Sequence, residues 1–201
     1  MLIAITACIL GCVADELLLY SPRGNFHTGD FLFYQDISLP RIYWGYFLGI
    51  LVIPIELLGF HVVVKNLFQK ESLQKTLFFL GICYLFVLGV VYHGIVSYVA
   101  LIEKSQFIEP AMVKMSRQMH DPLVAILSLV FLALAVASFF LIRKQENGLP
   151  RWLIYFNPVF VYIAVALLYF VFPIIGNYFM VAGLNFSILI FFLAFRVAVR
   201  N

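Results

Sequence analysis

The sequence predicts an all-α fold: one polytopic transmembrane helical bundle of six spans over residues 1–201, with both termini in the cytoplasm. Composition is the first reason, since 64% of the 201 residues are hydrophobic and 11% charged, against roughly 25% charged in a soluble domain. Spacing is the second. Crossing a hydrocarbon core of roughly 30 Å takes about 20 residues at 1.5 Å rise, and apolar stretches of that length fall near 2–20, 42–64, 76–102, 122–142, 152–171 and 178–195. The third is an imbalance of basic residues between the two sets of connections.

The first span is apolar from Leu2 and has no basic leader, so it is expected to stay as a span rather than act as a secretory signal. After it, Pro22 and Gly24 stop the helix and Asp30 is placed to cap a short apolar turn, FLFYQ. Residues 21–41 are expected to lie in the interface as a lid. Tyr34, Tyr43, Trp44 and Tyr46 form an outer aromatic belt, matched on the inner side by Trp152 and Tyr155. Span three leads into a polar, Met-rich loop from Glu103 to Asp121, expected to form a short amphipathic surface helix. Asp121 reads as the N-cap of span four with Pro122 at its first position. A catalytic His120–Asp121 pair is disfavoured because adjacent residues diverge on a helix. Gly148 and Pro150 punctuate the next connection, and Pro173, Gly176 and Asn177 make a tight loop between spans five and six.

One set of connections, with the C-terminus, carries Lys65, Lys70, Lys75, Arg143, Lys144, Arg151, Arg196 and Arg200; the other carries Arg23, Arg41, Lys104, Lys114 and Arg117. The richer set faces the cytoplasm by the positive-inside rule. Positive inner loops suit an anionic leaflet, so the expected partner is the lipid bilayer and the expected location a bacterial inner membrane. No basic tail or stripe marks a nucleic-acid site. A homo-oligomer is compatible with this composition. Cys8, Cys12 and Cys83 all fall in spans, where cysteine behaves as a small apolar residue, and no cofactor or metal motif is present.

Three acids sit inside apolar segments: Asp15, Glu16 and Glu56. A charge at the centre of a membrane helix costs about 2.5–3.5 kcal/mol on insertion scales, so each requires a partner or a purpose. At 100° per residue, Gly45, Gly49 and Glu56 lie within about 40° of one another. Ala4, Cys8, Gly11 and Asp15 make a second stripe, and Gly89, His93, Ser97 and Ala100 a third. Small residues mark close helix contact, which turns Glu56, Asp15 and His93 into the bundle. Glu16 is rotated about 100° from that stripe, toward the outer loop, Arg23 or Arg41.

Counting 1.5 Å per residue from the outer ends, Asp15 lies about 8 Å deep, Asn185 about 10 Å, His93 about 14 Å, Glu56 about 21 Å and Asn157 about 22 Å. Asp15, His93 and Asn185 are expected in an outer tier and Glu56 with Asn157 in a lower one. Pro54 and Pro158 disturb their helices near the lower tier. His61 reads as interfacial and His27 as exposed.

Hydrocarbon disfavours a charged carboxyl, and an uncharged acid near a histidine can give and take protons. The expected catalytic set is Glu56 as acid, His93 as relay and Asp15 as orienting or second acid, with Asn157, Asn185, Ser97 and Tyr92 as ligand-binding residues. Such a pocket suits isomerisation, cyclisation or hydrolysis of a lipophilic small molecule. A small-solute or proton-coupled transporter is the second reading, and a non-catalytic lipid- or partner-binding subunit the third. Bridging hydrogen bonds of about 0.6–2 kcal/mol are the plain structural account of the polar residues, and favour Asn157, Asn185 and Ser97 as structural. HExxH, a GxSx nucleophile, CxxC and a phosphate loop are all absent.

GDFLFY at 29–34, WGYFLGILVIPIELLGF at 44–60 and LGVVYHGIVSYVALI at 88–102 together resemble an uncharacterised bacterial family of small six-span membrane proteins. That resemblance implies no activity. PIELLGF is also similar to the Pro-x-Glu-Glu-x-x-Phe signature of membrane lycopene cyclases, whose acids protonate a polyene, with Leu57 in place of the second Glu.

Overall fold

A computed structural model describes residues 1–21, 31–105, 110–144 and 148–200. The expected helix stop at Pro22 and Gly24, the Asp30 cap, Arg23, His27 and the first half of the expected lid lie outside the described residues.

The described residues form seven α-helices in order: α1 (Leu2–Leu19), α2 (Leu39–Leu67), α3 (Leu73–Lys104), α4 (Pro110–Arg143), α5 (Pro158–Val171), α6 (Pro173–Val181) and α7 (Gly183–Ala198). Short 3-10 turns at Phe31–Asp36 and Arg151–Phe156 precede α2 and α5. Among the described residues there is no strand. Helices α1 to α4 are each long and apolar enough to cross a membrane, and α6 with α7 adds a fifth if the pair, bent by 76°, counts as one. α5 has 14 residues, about 21 Å at 1.5 Å rise, and falls short alone.

The later helices differ from expectation at their boundaries. Span four does not start at Pro122, because α4 begins at Pro110 and passes through it. A proline deletes one backbone bond, and intact turns on both sides hold the helix together. Asp121 is therefore no N-cap, and the expected surface helix is the first part of α4, with Met112, Met115 and Met119 exposed. Span five is broken at Asn157, whose side chain accepts from Val159 N at 3.1 Å and caps α5 at Pro158. The expected loop at Pro173, Gly176 and Asn177 is helical as α6, with Pro173 in its first turn. Gly176 lies against the α5 backbone: a Cβ there would meet Tyr169 Cα at 2.2 Å.

The exterior is apolar, as a bilayer requires: Leu51, Leu58, Leu80, Val87, Leu129 and Phe170 are all exposed. Inside, one apolar cluster gathers Ala4, Cys8, Val63, Ile82, Leu153 and Phe192, and another Leu18, Phe33, Tyr34, Ile42, Val99 and Ala100. The stripe glycines explain how the first three helices close up. A Cβ on Gly45 would sit 2.9 Å from both Ala14 O and Leu18 N, so α2 rests on the α1 backbone itself. A Cβ on Gly59 would strike the Phe192 ring at 2.5 Å. Arg41 fixes the outer end of the α1–α2 pair, donating to the carbonyls of Glu16 (2.7 Å) and Tyr20 (2.9 Å). They lie at the C-terminal end of α1, the Glu16 carbonyl also accepting the backbone N–H of the capping residue Tyr20, and a cation is favoured at that end of a helix.

Gly45→Ala forces two backbones apart and is expected to destabilise the protein by about 1–3 kcal/mol, as overpacking does. Gly94 has nothing within 4 Å of its would-be Cβ, so Gly94→Ala is expected to be neutral or to stabilise by up to about 1 kcal/mol. Thermal unfolding of the two variants in one detergent checks the contrast.

Candidate functional site

Between the two apolar clusters, α1, α2, α3 and α7 bring their buried polar side chains together. Asp15 is the centre: Asn185 Nδ2 donates to its Oδ2 at 2.8 Å, and His93 Nε2 meets its Oδ1 at 3.0 Å. One carboxyl thus ties α1 to α3 and α7. All three residues are buried, and hydrogen bonds to a charged group are worth about 1.5–3 kcal/mol each. With Nε2 donating, the neutral imidazole has an acceptor at Nδ1, and that atom has no partner. The ring lies on Gly49, where a Cβ would come within 2.4 Å of Nδ1.

Glu56 is 0% exposed, and neither carboxyl oxygen has a hydrogen-bond partner. Its Oε1 and the Asn185 amide share the space over Gly11, 2.9 and 3.0 Å from where a Cβ would stand. Gly11 is one helical turn below Asp15, so Glu56 lies nearer the Asp15 cluster than counting residues implies. The Cys8 thiol is a further neighbour of this carboxyl.

These groups form one wall of a cavity of about 780 Å³ that continues between α3, α4, α5 and α7, within the usual range for small-molecule sites. Asp15, Glu56, His93, Tyr92 and Asn185 line it; Asn157 and Ser97 do not. The expected pairing of Glu56 with Asn157 is not formed. The Asn157 amide instead donates to Ala135 O and Ser138 Oγ, both at 2.9 Å, and holds α5 to α4. Ser97 donates its hydroxyl back to His93 O at 2.7 Å.

Sequence reasoning missed four titratable lining residues. Tyr34, expected in the outer belt, is 1% exposed and faces the cavity from the 3-10 turn, where burial pushes its phenol well above the ordinary value. Tyr162 of α5 faces it too. His120 and Asp121, read as a helix start, also line it, with His120 Nδ1 and Asp121 Oδ1 3.0 Å apart and Asp121 mostly exposed. Their signal was available: 120, 121, 124, 127, 128 and 131 share one face once the helix is carried through Pro122. Tyr92 packs between the two histidines, 6.3 Å from the His93 ring and 5.7 Å from His120.

Among the described residues, no three His, Cys, Asp or Glu side chains converge to hold a metal ion. The arrangement supplies an oriented imidazole–carboxyl pair, a separate acid without a partner, and tyrosine hydroxyls around an apolar volume. Asn185→Leu leaves Asp15 Oδ2 without its donor, and is expected to destabilise the protein by about 1–3 kcal/mol. Thermal unfolding in detergent measures it.

No curated protein and no solved structure gives a match to this chain. A family model described as a family of unknown function matches residues 1–201. This membrane protein, a helical bundle of apolar membrane-length helices, belongs to that family of unknown function, DUF6796.

Proposed function

We propose that the cavity binds a lipophilic small molecule and performs acid/base chemistry on it, with Glu56 as the acid, His93 as relay and Asp15 as the group that orients His93. The observation that carries this reading is Glu56: fully buried, unpartnered, and in the wall of a mainly apolar cavity. An ionisable group kept in that setting without a structural partner calls for a functional reason. Asn185 and Tyr92 are the ligand-binding residues of the same wall. Isomerisation, cyclisation and hydrolysis all need a proton given at one atom and taken at another, which two separate acid/base stations supply.

The membrane setting fits. We count the Arg151–Phe156 turn with α5 as one span and bent α6–α7 as another beside the four long helices, a reading of six spans in which both termini share one side. The richer basic connections make that side cytoplasmic, in a bacterial inner membrane. Leu132 of α4 and Ile163 of α5 line the cavity and are both 48% exposed. We take the separation of these two helices as the route by which a lipophile enters from the bilayer.

A proton-coupled carrier is the second reading, favoured by the break between α6 and α7. Val181 and Gly183 flank that break and line the cavity, and interrupted helices commonly border transport sites. In both readings Glu56 exchanges the proton.

Mass spectrometry of the purified protein is expected to show a copurifying lipophile that falls by about tenfold or more in Glu56→Gln, corresponding to ~1.4 kcal/mol of lost binding. Full retention of the lipophile in that variant contradicts the assignment of Glu56.

A further inference from the structure

We propose that the ligand taken by this cavity is a lipophilic amine, held as its ammonium against Glu56; this rests on reading the cavity as a lipophile site. Charge comes first. Among the described residues that line the cavity the acids are Asp15, Glu56 and Asp121, the bases are His93 and His120, and there is no Lys or Arg. An anionic headgroup would find Asp15 already engaged by His93 and Asn185 and no Lys or Arg among the described lining residues to pair with, which disfavours fatty acids and phospholipid phosphates. A cation is the one charge sign that the wall accepts.

Hydrogen-bonding capacity points the same way. Asp15 is already engaged by His93 and Asn185, whereas neither oxygen of Glu56 meets a nitrogen or oxygen donor and only the weak S–H donor of Cys8 stands beside the carboxyl. What is missing there is a donor, and more than one. A primary ammonium offers three N–H donors and a hydroxyl one. The aromatic side chains of Tyr92, Phe131 and Tyr162 line the same space, and aromatic rings attract cations most strongly when water is excluded. The apolar remainder, including Leu127, Leu132 and Ile163, accommodates an alkyl tail.

The proton balance is simple. A free amine arriving from the bilayer takes the proton of the Glu56 carboxyl: the O–H bond breaks, the N–H bond forms, and a carboxylate–ammonium pair results. An alkylamine added to water near neutral pH starts as its ammonium, so either route releases one proton to solvent, when the amine sheds it to enter the bilayer or when the ammonium displaces the Glu56 proton. The titratable neighbours of Glu56 among the described residues are Asp15, Cys8 and Cys12, all from α1.

The test uses the full chain in lipid nanodiscs with dodecylamine, dodecanol and dodecanoate as probes, reading binding by calorimetry and proton release in weak buffer near neutral pH. Dodecylamine is expected to bind about tenfold tighter than dodecanol, ~1.4 kcal/mol, with about one proton released per amine bound, as displacement from a neutral acid requires. Dodecanoate is expected not to bind. Glu56→Gln is expected to abolish both the release and the preference for amine, while Glu56→Asp retains the preference. The release is measured on the wild-type chain, so it remains decisive if Glu56→Gln does not fold. Dodecanol binding as tightly as dodecylamine, or amine binding without proton release, overturns the amine inference and leaves the lipophile site standing. Failure of all three probes overturns both.

Discussion

Everything in the interior is arranged around keeping the Asp15 carboxyl solvated by protein. Hydrocarbon supplies no donor, so the chain must bring its own, and it does so from two other helices: Nε2 of His93 on α3 and Nδ2 of Asn185 on α7. The three side chains lie far apart in sequence, so forming this cluster fixes the relative depth and rotation of α1, α3 and α7 together. Apolar contacts alone specify such registers weakly in a membrane, where lipid tails compete on equal terms with leucine. The polar cluster is the element that selects one arrangement.

Close approach of helices makes that cluster possible. Gly45 lets α2 touch the backbone of α1, Gly49 leaves room for the imidazole, and Gly11 leaves room for Glu56 and Asn185. Each glycine removes a Cβ where a functional atom or a backbone has to be. The same tight packing on the α1–α2–α3 side contrasts with the opposite side, where α4 and α5 stand apart and the cavity opens. Rigid polar groups thus face a looser apolar wall, a division suited to holding reacting atoms while admitting a flexible lipophile.

The inward faces were legible in the sequence because small residues and ionisable ones repeat together at helical spacing, as at Ala4, Cys8, Gly11 and Asp15. Depth counting placed Asp15, Asn185 and His93 near one level, and the structure joins them. It misplaced Glu56 because a residue count gives the level of a backbone and not the reach of its side chain, which in a helix leans toward the N-terminus, here the outer end of α2, and brings the carboxyl over Gly11. Depth also carries no lateral information, so Asn157 was matched with Glu56 when its true partners are Ala135 and Ser138 on α4. At Pro122 a local boundary signal outweighed the longer face running through it, which hid His120 and Asp121. Tyr34 was read from its position beside Trp44, but the 3-10 turn folds it inward, and no local pattern marks that.

The account rests on a division of roles between two acids: Asp15 bound on both oxygens, and Glu56 bound on neither and free to exchange a proton with a ligand. Infrared difference spectroscopy comparing the wild-type chain with Glu56→Gln and Asp15→Asn separates them directly. A carbonyl stretch from an uncharged carboxylic acid is predicted that disappears in Glu56→Gln, persists in Asp15→Asn and gives way to carboxylate bands when dodecylamine binds. A spectrum in which Glu56→Gln removes no such band would contradict it.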